Sequence, residues 1–291
     1  MRPTTLLPRA IPSALLLLLC LGCHKPTLRE TLQTVSADEA VTVTDVHVPS
    51  ASIDGMLWYR AIVPRTGVGE QLPVLYLLHG ANSGPIEIME HSAVRELASA
   101  ARLIVIMPEA DLSYYTNAKH KSHSRWEEAI TQELPRDVEA RFPVLRGRTH
   151  TGVAGISMGG YGSAKLALKH PELYGFAGNM SGALDITRRP LSLRRWQQTW
   201  RIAMIFGVRP REKQDEDVFA LLGASGKSQK VHWFDSCGKE DPLRGINERF
   251  VSQLRQRGAD LDTMVTPGGH DWQSWNAAIP ELLKIASKTL R

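Results

Sequence analysis

Six short runs, most of them apolar, each separated from the next by a stretch with helical spacing, limit this chain to very few architectures. The runs are Val74–Leu78, Leu103–Met107, Thr149–Ile156, Gly175–Met180, Val231–Asp235 and Asp262–Thr266. Helical patterns lie between and after them, at about 86–101, 125–142, 158–170, 243–257 and 273–288. Strands this short with no polar face need cover on both sides, and strand–helix alternation requires right-handed crossovers between parallel strands. The expectation is an α/β fold: a mostly parallel open sheet with helices on both faces. Ahead of these runs, Val41, Val43, Val46 and Val48 alternate with polar residues, and Met56–Val63 is again β-rich, which reads as an edge hairpin. From Ile186 to about Lys230 two helical patterns, around Trp196–Phe206 and Asp215–Leu222, follow one another with no strand between them. This 186–230 segment is expected to cap the carboxyl edge of the sheet, or else to be core of an enlarged connection.

The N-terminus reads differently. Arg2 and Arg9 precede an apolar run from Ile11 to Cys23, and polar His24-Lys25-Pro26 follows at once. The run is too short to cross a bilayer core of about 30 Å comfortably but has the layout of a signal peptide. Its end, Cys20-Leu21-Gly22-Cys23, resembles a bacterial lipobox, with Cys20 an unusual occupant of its first position. The resulting expectation is a signal peptide over 1–22, lipidation of Cys23, a linker over 23–40 and one domain over 41–291. The protein is then exported, tethered to a membrane through Cys23, and faces the periplasm or the cell exterior. Of the three cysteines, Cys237 alone would remain in the domain, which excludes a disulfide within it. Residues 1–22 hold two arginines and no acid, so their removal leaves 33 basic against 30 acidic residues. A balance that even is a solvated surface, not a nucleic-acid footprint.

The chemistry concentrates at Gly155-Ile156-Ser157-Met158-Gly159-Gly160, which follows one strand candidate and opens a helix. A serine thrust out on a sharp strand-to-helix turn has strained backbone angles, and the positions two before and two after it approach too closely for a Cβ. The helix start behind Ser157 offers N–H groups to a developing oxyanion, with Met158 the first. A serine nucleophile needs a base and an orienting carboxylate. Of ten histidines, His270 is placed for that role, in Pro267-Gly-Gly-His270-Asp-Trp272 between the last strand and the last helix. His79, at the end of an earlier strand, is expected to shape the loop that supplies a second oxyanion N–H from Ala81. His120 and His123 read as a surface loop. For the carboxylate, Asp235 and Asp241 both qualify in Asp235-Ser-Cys-Gly-Lys-Glu-Asp241-Pro242, and Asp185 is an outside candidate. Cys237 has no elbow and reads as a small buried residue. Nucleotide-loop and HExxH patterns are absent, so neither a cofactor nor a metal is signalled.

Together, Leu77-Leu78-His79-Gly80, Gly155-Ile-Ser-Met-Gly-Gly-Tyr-Gly162, Cys237-Gly-Lys-Glu-Asp241 and Gly269-His270-Asp-Trp272 resemble the esterase family of α/β-hydrolases. That family holds esterase D-type S-formylglutathione hydrolases, tributyrin and feruloyl esterases, and mycolyltransferases. The similarity runs from about residue 41 to the C-terminus. It implies a Ser157, Asp241, His270 triad in the chain order of α/β-hydrolases, with Asp241 favoured over Asp235 because the family's carboxylate follows a Cys-Gly turn. It also implies oxyanion N–H groups from Ala81 and Met158, and a pocket bordered by Tyr114 and Tyr115. The expected activity is serine carboxylesterase on a small-molecule or carbohydrate-linked ester. An acyltransferase on the same fold and a non-catalytic surface binding protein are the alternatives.

Overall fold

The computed structural model describes residues 30–190, 196–224 and 231–291. The expected signal peptide and Cys23 lie outside the described residues. Nine strands form one sheet in the order β1-β2-β3-β5-β4-β6-β7-β8-β9. They are β1 (Thr31–Ala37), β2 (Val41–Ser50), β3 (Gly55–Pro64), β4 (Val74–Leu78), β5 (Ile104–Pro108), β6 (Thr151–Ile156), β7 (Phe176–Met180), β8 (His232–Gly238) and β9 (Leu261–Thr266). The first three run antiparallel, β3 meets β5 antiparallel, and every pair from β5 to β9 is parallel. The six runs are thus the six parallel strands, and the expected hairpin is β2–β3.

The sheet is covered on both faces. On β4, Leu75 and Leu77 pack with Ile88, Val94 and Ala98 and with Ala278, Ile279, Leu282 and Leu283 of the C-terminal helix Trp272–Thr289. Val74, Tyr76 and Leu78 face the opposite way, toward Ile130, Leu134 and Val138, the helix Met158–Lys169 and Phe250 and Leu254. The alternation of side chains along a strand sends successive residues into two separate cores.

Three expectations need correction. The first helical pattern divides into Pro85–His91 and Val94–Ala101, because Ser92 is extended and its hydroxyl donates to Ile88 O at 2.6 Å. The second, over 126–141, holds a π-turn at Ala129–Glu133 ahead of Pro135, which has no N–H to give the ladder. Part of the expected linker, Thr31–Ala37, is a strand pairing with β2 across a bulge between Thr34 and Ser36. Its side chains are almost all exposed, so backbone pairing holds it and no apolar period marks it.

The described parts of the 186–230 segment, 186–190 and 196–224, do both jobs considered for it, with Gln197, Arg201 and Ile202 beside Ala81 of the loop after β4. Phe206, Ile205, Val218, Phe219 and Leu222 join the core above the helix Met158–Lys169, with Phe206 against Tyr114 and Tyr161. Trp196 and Trp200 remain exposed. A buried ion cluster fastens this cap. Lys165, wholly buried on the helix Met158–Lys169, donates to Tyr115 O (2.6 Å), Thr116 Oγ1 (2.9 Å) and Glu127 Oε2 (2.8 Å), and lies 3.1 Å from Glu216 Oε2 of the cap. Lys169 bridges the same two carboxylates, and His170 Nε2 meets Glu127 Oε1 at 3.0 Å. Burial would raise the Glu127 carboxyl, but the surrounding Lys165, His170 and Lys169 hold it well below the usual range. Removing one partner from such a cluster leaves uncompensated buried charge. Lys165→Met is therefore expected to cost about 3–5 kcal/mol in denaturant-induced unfolding, with the cap loosened first in hydrogen exchange. A variant as stable as wild type would show that the cluster carries no net stabilisation.

Candidate active site

Strand β6 ends at Ile156, and Ser157 turns the chain directly into the helix Met158–Lys169. Ser157 has φ 57° and ψ −107°, a left-handed conformation that an L-residue adopts only under constraint. The constraint is visible on both sides. Its N–H donates to Met180 O at 2.9 Å, and its carbonyl accepts from Tyr161 N (3.0 Å) and Ala183 N (3.1 Å). A Cβ on Gly155 would lie under 3.0 Å from the Gly159 backbone, and one on Gly159 would strike Leu78 O and His79 O. Only glycine lets these chains cross.

Two loops bring partners to that serine. Between β9 and the C-terminal helix, Gly268 turns with φ 81°, and Asp271 caps the helix by accepting from Ser274 N at 3.2 Å and from Gly269 N at 3.1 Å. His270 is thereby held with Nε2 2.8 Å from Ser157 Oγ. After β8, Asp241 turns in over the carboxyl edge, and its Oδ2 is 2.9 Å from His270 Nδ1. The Leu243 N–H fixes the other oxygen at 2.7 Å. The Asp241 side chain is fully buried while that of His270 is 30% exposed. Burial pushes the Asp241 carboxyl up, but hydrogen bonds from His270, Leu243 N–H and Ser181 outweigh it and keep the group below the ordinary carboxylate range. The carboxylate accepts a hydrogen bond from Nδ1–H, leaving the Nε2 lone pair to accept from the Ser157 hydroxyl. Proton abstraction from an attacking serine is what this arrangement can do.

The other candidates are placed elsewhere. Asp235 does not end its strand. It sits inside β8, which continues to Gly238 through pairing with β9, and it bonds the Asn179 side chain (2.5 Å) instead of nearby backbone N–H groups. Burial pushes its carboxyl up to about 7. Asp185 makes an ion pair with Arg189. Cys237 is buried, and burial raises its thiol to about 12, which leaves it unreactive. His123 is mostly exposed, 3.9 Å from Asp54, and among the described residues no cluster of His, Cys, Asp and Glu could hold a metal ion.

The loop after β4 flanks the serine, with the Cβ direction of Gly80 3.6 Å from Ser157 Cβ. His79 shapes it from beneath: Nδ1–H donates to Gly80 O at 2.7 Å, and Nε2 accepts from Ala110 N at 3.0 Å. Ala81 follows in that loop, and Met158 opens the helix, whose first N–H groups have no intrahelical partner. Tyr115 does not border a pocket. It is wholly buried, packs against Gly162 and donates its hydroxyl to His79 O at 2.9 Å, bracing the loop from behind. Tyr114 does line a cavity, of about 270 Å³, together with Ala81, Leu112, Gln197, Arg201 and Ile202. Sequence reasoning missed Asn179 and Asn247, which sit beneath the elbow: Asn247 accepts from Gly182 N and donates to Gly182 O, both at 3.1 Å, and Asn179 Nδ2 donates to Asn247 Oδ1 at 2.6 Å. Single buried amides carry no motif that could have announced them. Ser181, with φ 52°, was missed for the same reason.

The chain is similar to known proteins in sequence and in fold. The family model described as "Putative esterase" matches residues 50–285. An acetyl esterase of Caldicellulosiruptor saccharolyticus is 27% identical over 228 residues, covering 75% of this chain and 85% of that protein. An esterase of Mycobacterium tuberculosis is 26% identical over 227 residues, covering 69% of this chain and 49% of that protein. Among solved structures, the substrate-bound fluorophosphonate-binding serine hydrolase F of Staphylococcus aureus superposes with a TM-score of 0.74 at 25% identity, covering 85% of this chain and 99% of that one. A ferulic acid esterase shares the fold with a TM-score of 0.75 at 22% identity, over 87% of this chain and 100% of the other. With the family model matched across residues 50–285, the chain belongs to the esterase family, carboxylic-ester hydrolases built on the α/β-hydrolase fold.

Proposed function

We propose that this protein is an exported serine carboxylesterase working through an acyl-enzyme. The observation that carries the reading is the continuous hydrogen-bonded chain from Ser157 Oγ through His270 to Asp241 at the carboxyl edge of the sheet. Ser157 Oγ attacks the ester carbonyl while His270 Nε2 takes its proton. The Ala81 and Met158 N–H groups hold the oxyanion, and the imidazolium then protonates the departing alcohol oxygen. Water, deprotonated by the same nitrogen, attacks the acyl-enzyme and frees the acid and Ser157. Asp241 keeps the proton on Nδ1 and stabilises the imidazolium throughout. No step calls on a cofactor.

Export and anchoring are supported by the apolar run Ile11–Cys23 and its Cys20-Leu21-Gly22-Cys23 ending. With Cys23 lipidated, the mature chain partitions into detergent with membranes, and Cys23→Ser releases it or blocks its maturation. A wild-type chain found soluble with an N-terminus other than residue 23 rules the lipid anchor out.

A fluorophosphonate probe is expected to label Ser157, and Ser157→Ala to abolish labelling. Labelling at another residue, or none in folded protein, favours a binding protein that kept the scaffold.

The two aspartates should separate cleanly. Asp241→Asn is expected to lower kcat by roughly 10³–10⁴ with folding preserved, because the imidazole loses its tautomer control. Asp235 is predicted to affect stability in a pH-dependent way. Its carboxyl titrates higher folded than unfolded, so its contribution is present below about pH 4 and is lost as pH rises through about 7. Asp235→Asn keeps an acceptor for Asn179 and removes that titration. Its melting temperature should therefore equal or exceed wild type above pH 7, with kcat nearly unchanged. A dead Asp235→Asn beside a normal Asp241→Asn reverses the assignment.

A further inference from the structure

The positive charge of this chain is concentrated in one stretch of its sequence. Residues 186–213 hold eight arginines and lysines against one acid, Glu212, whereas the rest of the chain holds 27 basic and 29 acidic residues. Its described residues, 186–190 and 196–213, belong to the cap and take no part in the proton relay. Within it lies a cavity of about 590 Å³ whose lining includes Arg188, Arg189, Arg211 and Lys213. Arg188 is neutralised by a two-pronged pair with Asp217 (2.6 and 2.9 Å), and Arg189 is paired with Asp185. Arg211 and Lys213 have no ion-pair partner among the described residues.

The cap also exposes large apolar groups, of which Val208 lines the same cavity as Arg211 and Lys213. Trp196 and Trp200, one turn apart on the helix Trp196–Phe206, are 65% and 62% exposed, and Val208 at the cavity rim is 54% exposed. Exposed tryptophan is costly in water unless something covers it. Exposed indole rings on a segment rich in basic residues suit the boundary between lipid headgroups and acyl chains, where the ring is half-buried and the cations meet phosphate. A soluble polyanion would satisfy the charges but leave Val208 wet.

We infer that the cap docks on an anionic phospholipid surface, with Arg211 and Lys213 receiving headgroup phosphates and Trp196, Trp200 and Val208 seated at the headgroup–acyl boundary. The same helix contributes Gln197 and Arg201 to the cavity beside Ala81. Docking therefore sets the mouth of the ester site at the membrane, within reach of esters dispersed in it. The surface is separate from the Cys23 anchor and acts with or without it.

The test is sedimentation of the full chain with phosphatidylcholine vesicles and with vesicles containing about one third phosphatidylglycerol. An N-terminal acyl anchor binds both equally, so the ratio of the two affinities reads the cap. Each basic side chain near an anionic surface contributes about fivefold, and wild type is expected to favour the anionic vesicles at least about tenfold, with a blue shift of tryptophan emission. Arg211→Glu combined with Lys213→Glu should bring the ratio close to one. Trp196→Ser combined with Trp200→Ser should weaken binding to anionic vesicles and remove the blue shift, with the melting temperature of each variant checked against wild type. Equal binding to both vesicle types, a preference that survives charge reversal, or heparin binding without vesicle binding would each overturn the inference.

Discussion

Four pieces of backbone meet around Ser157 at distances no side chain would permit, and the site depends on that meeting. Gly155 rests on Gly159, Gly159 rests on the end of β4, and Gly160 rests on Asn179 and Gly182. With those approaches made, Ser157 is forced to positive φ and projects from the sheet's carboxyl edge, and the helix behind it begins at Met158. The strain is held by hydrogen bonds from β7 and the segment after it, through Met180 O and Ala183 N. The position of Ser157 is therefore a property of three parallel strands rather than of one loop. His270 and Asp241 then need only short loops from β9 and β8 to reach it, which is why open parallel sheets carry their chemistry at that edge.

Charge is sorted inside this frame. One carboxylate, Asp241, lies where hydrogen bonds outweigh burial, and another, Asp235, where burial wins. A few residues apart on the same strand-and-loop unit, the two aspartates meet opposite environments and so suit opposite roles. The Lys165 cluster applies the same physics to structure: buried charge is tolerated because each member faces its complement, and the result ties the elbow helix to the cap. The cap thus has a packed inner surface, and its exposed residues include Arg211, Trp196 and Trp200.

Apolar runs announced the central parallel strands and alternation announced the hairpin β2–β3, because burial on both faces or on one selects those patterns; β9, largely exposed, was legible from its place between two helical stretches. The elbow was equally legible, since only glycine fits beside it. Strand β1 was not, because exposed residues held by backbone pairing need no particular side chain. Tyr115 was misjudged for a related reason: an aromatic next to a pocket residue in sequence turns inward when two successive residues take positive φ, as Tyr114 and Tyr115 do. Asp235 ran deeper into its strand than the apolar run suggested, because Ser236, Cys237 and Gly238 extend β8 by pairing alone. The Lys165 cluster joins residues far apart in the chain, and nothing local in the sequence marks them as partners.

The central claim is that Ser157 becomes covalently acylated during turnover. Rapid acid quenching with p-nitrophenyl acetate, followed by mass spectrometry of the peptide containing residue 157, tests it most directly. The account predicts one acetyl group on Ser157, accumulating in the first turnover and absent from Ser157→Ala. Continued hydrolysis with no acyl group on the protein, or acylation at another residue that survives Ser157→Ala, would contradict it.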